Sequence, residues 1–290
     1  MHTTRTFTGA AVGALTLVAL SGCADGATPA ADDRLAVLAS FYPLQYVVEQ
    51  VGGDLVAVTS LTPPGAEPHD VELSPSQVRE VGEAGVVVYL AGFQAAVDDA
   101  IAARTPEHVV DAGATAAVAD GDPHFWLDPT MLAAVAPDVA AMLAEADPDN
   151  AEAYTAGAEA LVTDLTALDE EFVEGLARCD LSVIVTAHAA FAYLTERYGL
   201  EQVGLSGLDP EAEPSPARLR EIREVVEANG VTTVFTEALV SPKVAETLAA
   251  DLGIATAVLD PVESQVDPAV DYRGAMEQNL VALRDALGCA

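Results

Sequence analysis

Short β-branched runs alternate with helical patterns along most of this 290-residue chain, and that alternation restricts the fold more than any other feature. Strand–helix–strand units build parallel sheets covered by helices. The runs at residues 35–41, 56–61, 86–90, 181–186, 232–236 and 255–259 read as strands. A capping residue followed by proline opens helices at Ser74-Pro75, Asp128-Pro129, Asp147-Pro148, Ser215-Pro216 and Ser241-Pro242, and Ser74 with Gln77 fits a capping box. Between the two groups of strands, Tyr154, Ala158, Leu161, Leu165, Leu168, Phe172 and Leu176 recur every three or four residues. This stripe predicts one amphipathic helix of roughly 28 residues, about 42 Å long. It lasts too few heptads for a coiled coil and sits between strand-rich halves, so it is expected to pack along both. The fold class is therefore α/β, with two lobes, each a mostly parallel sheet flanked by helices. The N-terminal lobe is expected over 34–146, the linking helix over 147–178 and the C-terminal lobe over 179–290.

The N-terminus carries Arg5 and an apolar run over 10–20 that is too short to span a bilayer. It ends in Leu20-Ser21-Gly22-Cys23, which resembles the bacterial lipobox. That resemblance implies a signal peptide over 1–22, cleaved before Cys23, and a lipidated Cys23 that anchors the protein to the outer face of the cell membrane. An ordinary signal peptide with an incidental cysteine is the plainer alternative. Residues 23–33, rich in Ala, Gly, Pro, Thr and Asp, have the composition of a flexible tether. With Cys23 lipidated, Cys179 and Cys289 are left as an even pair, and in an oxidising compartment a disulfide between them is expected, with two buried thiols as the alternative. The net charge of −34 would repel a polyphosphate, which excludes nucleic acid as a partner. Spread along the whole chain, the acid reads as a solubilising surface.

Chemistry concentrates in the histidines. His2 falls in the signal peptide, and His108 has the setting of a surface residue. His69, His124 and His188 stand in Glu67-Pro68-His69-Asp70, in Asp122-Pro123-His124-Phe125-Trp126-Leu127-Asp128 and in Thr186-Ala187-His188. Any one of them taken alone reads as a structural histidine. Two, however, follow predicted strands, and ligands of parallel sheets bind beyond the carboxyl ends of strands.

These blocks, with Gly207-Leu208-Asp209-Pro210 leading to Ser215-Pro216 and with Leu259-Asp260-Pro261, resemble the metal-binding solute-binding proteins of zinc and manganese ABC importers. The resemblance covers essentially the whole mature chain. It implies metal between the two lobes, held by His69, His124, His188 and Asp260, with Glu237 and Glu67 close by as supporting carboxylates. It further implies an extracytoplasmic protein, expected as a monomer, that captures Zn(II) and passes it to a membrane permease. Manganese carriers of the family tend to have a carboxylate where this chain has His188, so zinc is favoured over Mn(II). Three imidazoles and one carboxylate also suit tetrahedral zinc better than harder manganese. Histidine binds metal only when neutral, so affinity is expected to fall below pH of about 6.5. In one respect the chain departs from many zinc members: residues 112–122 are short and lack the His-rich loop. A metallohydrolase would use a similar donor set, but no His-Glu-x-x-His, Gly-x-Ser-x-Gly or phosphate-binding glycine loop is present. An adhesin would leave the histidines incidental. The expectation is a transport component without a catalytic step.

Overall fold

The structure, a computed structural model, describes residues 34–118 and 121–290. The expected signal peptide, Cys23 and the expected tether lie outside the described residues. The first sheet has the order β2-β1-β3-β4, from β1 (Leu35–Ala39), β2 (Val56–Ser60), β3 (Val86–Tyr89) and β4 (Val109–Asp111). All its pairings are parallel, with Leu35 opposite Val56, Val37 opposite Val86 and Val87 opposite Val109. Helices α1 (Tyr42–Gly52), α2 (Pro75–Val81), α3 (Ala95–Arg104) and α4 (Ala112–Ala116) connect or follow these strands, and α5 (Pro129–Ala146) leads out of the lobe.

The long stripe forms α6 (Ala151–Leu176), 26 residues that measure about 39 Å. All seven residues of the predicted stripe are buried on it. Gly157 permits its close fit: a Cβ there would stand 2.3 Å from the carbonyl oxygen of Val51, near the end of α1. The second sheet, ordered β6-β5-β7-β8, is built from β5 (Val183–Thr186), β6 (Glu201–Gly204), β7 (Thr233–Thr236) and β8 (Ala255–Val258), again all parallel. Its helices are α7 (Ala192–Tyr198), α8 (Pro216–Asn229), α9 (Lys243–Leu252) and α10 (Tyr272–Leu287). One hydrophobic cluster runs from Val37 and Phe41 through Leu161, Leu168 and Phe172 of α6 to Ile184, Phe235 and Met276. The linking helix is therefore the shared core of both lobes, and burial on this scale resists independent movement of the two.

Ser74, Asp128 and Ser215 cap α2, α5 and α8 as expected, and the Ser74–Gln77 capping box forms. Two expected starts differ. Pro148 opens a 3-10 turn before α6, and the Asp147 carboxylate accepts from Asn150 Nδ2 and Tyr154 Oη, each at 2.7 Å. Helix α9 begins after Pro242 with no side-chain cap. Cys179, just before β5, and Cys289, just after α10, form a disulfide. Among the described residues no helix is long and apolar enough to cross a membrane.

Candidate metal centre

In each sheet the chain leaves the first strand to one side and returns on the other, which makes β1/β3 and β5/β7 the switch points where such folds bind ligands. His188 follows β5 by two residues, and Glu237 directly follows β7. Their meeting is a consequence of topology. Glu237 Oε2 lies 2.7 Å from His188 Nδ1, and its Oε1 accepts the His188 backbone N–H at 3.1 Å. The His188 carbonyl accepts from Thr186 Oγ1 at 2.7 Å and Gln202 Nε2 at 2.9 Å.

His124 is held in the same way from the first lobe. The Asp122 carboxylate lies 2.8 Å from its Nδ1 and accepts its backbone N–H at 3.0 Å. A carboxylate only accepts, so Nδ1 carries a proton in both rings and Nε2 is the nitrogen turned toward Glu263, open to a cation once its own proton is displaced. His69 sits in the long connection between β2 and α2, its backbone N–H donating to Glu67 Oε1 at 2.9 Å.

These three rings converge on Glu263. Its Oε1 lies 3.0 Å from His124 Nε2, 3.3 Å from His69 Nε2 and 3.5 Å from His188 Nε2, and the Nε2 atoms of His124 and His188 are 3.4 Å apart. Four donor atoms, one from each of these residues, lie within 4.8 Å of one another. The edge of a tetrahedron around zinc, with ligands at 2.0–2.1 Å, is about 3.3 Å. Four of the six separations, from 3.0 to 3.5 Å, lie close to that edge. His124, His188 and Glu263 are buried, while the His69 side chain is 16% exposed.

Asp260, the expected carboxylate, is not in this group. Its Oδ1 accepts the backbone N–H of Val262 at 2.8 Å, bracing a turn in which Val262 takes a left-handed φ of 55°. A β-branched residue resists that conformation, so the brace is needed. Asn279 on α10 grips the Asp260 backbone on both sides, at 2.8 Å through its oxygen and 2.6 Å through its nitrogen. Asp260 thus shapes the turn, and Glu263 is the side chain that this turn aims at the histidines. Glu263 and Asp122 were both missed in the sequence. The available signal was an acid two or three residues from a candidate ligand in the same loop, which does not say which acid points inward.

The two lobes meet around the site. Trp126 Nε1 donates to the Pro261 carbonyl at 2.7 Å, and Tyr272 Oη donates to the Trp126 carbonyl at 2.5 Å. The Gly65 N–H donates to Ser264 Oγ at 2.7 Å.

Electrostatics follow from the packing. Burial opposes ionisation of Glu263, yet hydrogen bonds from His124, His188 and His69 hold its carboxyl well below the usual carboxylate range. For His188, burial favours the neutral ring, but Glu237 and Glu263 outweigh it and push the pKa up to about 9. His124 is raised in the same sense, burial being outweighed by Asp122 and Glu263. Burial raises the carboxyls of Asp260 and Glu67. The expected pH threshold of zinc affinity therefore moves upward, because a cation must displace the proton on His188.

The same shift predicts how the metal-free protein responds to pH. His188 in the folded chain holds its proton up to about 9, against an ordinary value of about 6.5 when unfolded. Its stabilisation is complete below pH of about 6.5 and is lost as pH rises through 9, a change on the order of 3 kcal/mol. In chelator, the thermal midpoint is expected to fall over that interval, and His188→Ala to flatten the fall. A midpoint that is constant or rises would rule this out.

Residues 37–286 match the family described as zinc-uptake complex component A, periplasmic. The chain belongs to this family. It is 33% identical over 280 residues to the zinc-binding lipoprotein AdcA of Streptococcus pneumoniae, covering 88% of this chain and 56% of that protein. The chain thus spans little more than half the length of AdcA. The high-affinity zinc uptake system protein ZnuA of Bacillus subtilis is 30% identical over 288 residues, 90% of each chain. The crystal structure of the Zn(II)-bound ZnuA-like domain of Streptococcus pneumoniae AdcA matches with a TM-score of 0.77 and 33% identity, covering 88% of this chain and 99% of that domain. The family is one of zinc-uptake components, and the two parallel-sheet lobes joined by a long helix are the architecture this chain shares with these structures.

Proposed function

We propose that this zinc-uptake component holds Zn(II) through Nε2 of His69, His124 and His188 and one carboxylate oxygen of Glu263, and delivers it to the membrane permease of an ABC importer. The observation that carries the reading is the approach of one Glu263 oxygen to all three imidazole nitrogens at tetrahedral-edge spacing. Four protein donors leave no open position for an activated water, so the site suits carriage and not hydrolysis. Glu237 and Asp122 fix the rings with Nε2 inward, which preorganises the site for a borderline cation that displaces the Nε2 proton. Glu67 holds the His69 backbone. Manganese, which gains from extra oxygen ligands, is served less well by this nitrogen-rich set. Competition titration of zinc against manganese at neutral pH is the test. Zinc is expected to bind more tightly by orders of magnitude, and equal or tighter manganese binding would reverse the assignment.

Lipid attachment at Cys23 would keep this monomeric carrier at the outer face of the membrane, beside its permease. The lipobox-like Leu20-Ser21-Gly22-Cys23 supports this, and residues 23–33 would then be the tether. One acyl chain holds a protein only marginally, so stable attachment needs more than one. Cys23→Ala is expected to move the protein from the membrane to the soluble fraction, and unchanged fractionation would exclude the anchor.

A further inference from the structure

The proposed ligands are not equally fixed. His124 precedes the buried Phe125, Trp126 and Leu127, which are bonded across to Pro261 and Tyr272. His188 is gripped through its carbonyl by Thr186 and Gln202 and through its Nδ1 by Glu237. Glu263 follows a turn locked by Asn279 and Trp126. His69 alone among the four is partly exposed, and it rides on residues 61–74, a connection without regular structure between β2 and α2.

Pro63, Pro64 and Pro68 lie in that connection, and proline offers no N–H. Those prolines can be held only through their carbonyls; Gly65 N–H ties the segment to Ser264, and outside donors hold other points of it by their carbonyls. Gln77 Nε2 does so at Leu61 and Gln94 Nε2 at Pro68, each at 3.0 Å. Among the described residues, Gln94 supplies the hydrogen bond that grips the residue next to His69. Its Nε2 donates also to Thr62 Oγ1 at 2.9 Å, and Thr62 in turn donates to the Ser40 carbonyl at 2.8 Å. Because the Pro68 carbonyl only accepts, the amide orientation is fixed by its partners. The opposite end of the amide, Oε1, is buried without a partner. A buried carbonyl left unpaired adds nothing to the fold and costs it something. The side chain thus retains a polar group whose observed uses are to hold Pro68 and, through Thr62, the start of the same segment.

From this we infer that Gln94 is a positioning residue for His69, and that its grip on Pro68 sets how long zinc stays bound. The inference rests on His69 being a zinc ligand. With Gln94 in place the prolyl segment is clamped and His69 faces the other donors. Without that grip His69 swings away with its segment, while His124, His188 and Glu263 stay where they are.

Gln94→Met tests it, since methionine fills similar space and removes both the donor and the unpaired oxygen. Zinc dissociation from the zinc-loaded full chain is timed into excess chromophoric chelator, in the parent and in a His69→Ala background. The expected result is a dissociation rate about 10-fold or more faster in the parent background, with the thermal midpoint of the metal-free protein little changed. In the His69→Ala background the same substitution is expected to change the rate less than 2-fold, because the two residues act as one unit. An unchanged rate in the parent background, or the same acceleration in both, would overturn the inference. If His69→Ala alone leaves zinc affinity and dissociation unaltered, it is the ligand assignment that fails. Should Gln94→Met lose its fold, Gln94→Leu is read by the same criteria, and failure of both to fold would assign Gln94 a structural role and reject the inference.

Discussion

Alanine at Glu263 is expected to weaken zinc binding by well over 100-fold, whereas alanine three residues earlier, at Asp260, is expected to cost less than about 10-fold. Losing an outer partner of a metal ligand costs roughly 10–100-fold, and losing a donor costs more. Glu263 Oε1 meets all three imidazoles, while Asp260 spends its carboxylate on the Val262 N–H. The Asp260 backbone would still be held by Asn279, so the turn would keep much of its shape. His69→Ala, His124→Ala and His188→Ala should match Glu263→Ala in scale, and His108→Ala should be silent. Titration against a chelator of known affinity decides it. The reverse order of the Asp260 and Glu263 variants would return Asp260 to the ligand set.

Loss of the Cys179–Cys289 disulfide is expected to lower stability by up to about 4–5 kcal/mol, the chain-entropy value for closing a loop with a sequence separation of 110 residues. The native contacts around it work against the full effect. Leu287 accepts from the backbone N–H groups of Asp180 and Leu181, and Arg178 accepts from that of Ala290, so the terminus remains stitched down after reduction. Cys179 precedes β5, whereas the histidine site lies past the carboxyl end of that strand. Zinc affinity below the unfolding transition should therefore not change. Urea denaturation of the Cys179→Ser/Cys289→Ser variant, set beside the parent, measures the loss. Coincident curves would show that the bridge contributes nothing.

The architecture was legible because it is written in periodicity. The stripe from Tyr154 to Leu176 is buried along α6, and the strand runs fall in the two sheets. Strands β4 and β6 were not anticipated. The first has three residues, and the second, Glu-Gln-Val-Gly at the edge of its sheet, offers neither β-branched enrichment nor alternation. The three histidines stood out through their neighbours. The carboxylate grouped with them did not, because Asp260 and Glu263 share one loop and the left-handed turn at Val262 decides between them. Such a turn depends on tertiary partners, here Asn279 and Trp126, as well as on the local Asp260 brace, so the sequence of the loop does not specify it alone.

Trp126 is the only tryptophan in the sequence, fully buried, with its ring centroid 5.2 Å from that of His124 and its N–H on the Pro261 carbonyl. Intrinsic indole fluorescence from this protein therefore has a single source, placed at the junction of the lobes and beside the proposed cation site. Emission should lie toward the blue, as for a desolvated indole, and any change in charge at His124 acts on it from within one ring's distance. The chain carries its own optical probe of occupancy, with no label to add and no second indole to subtract.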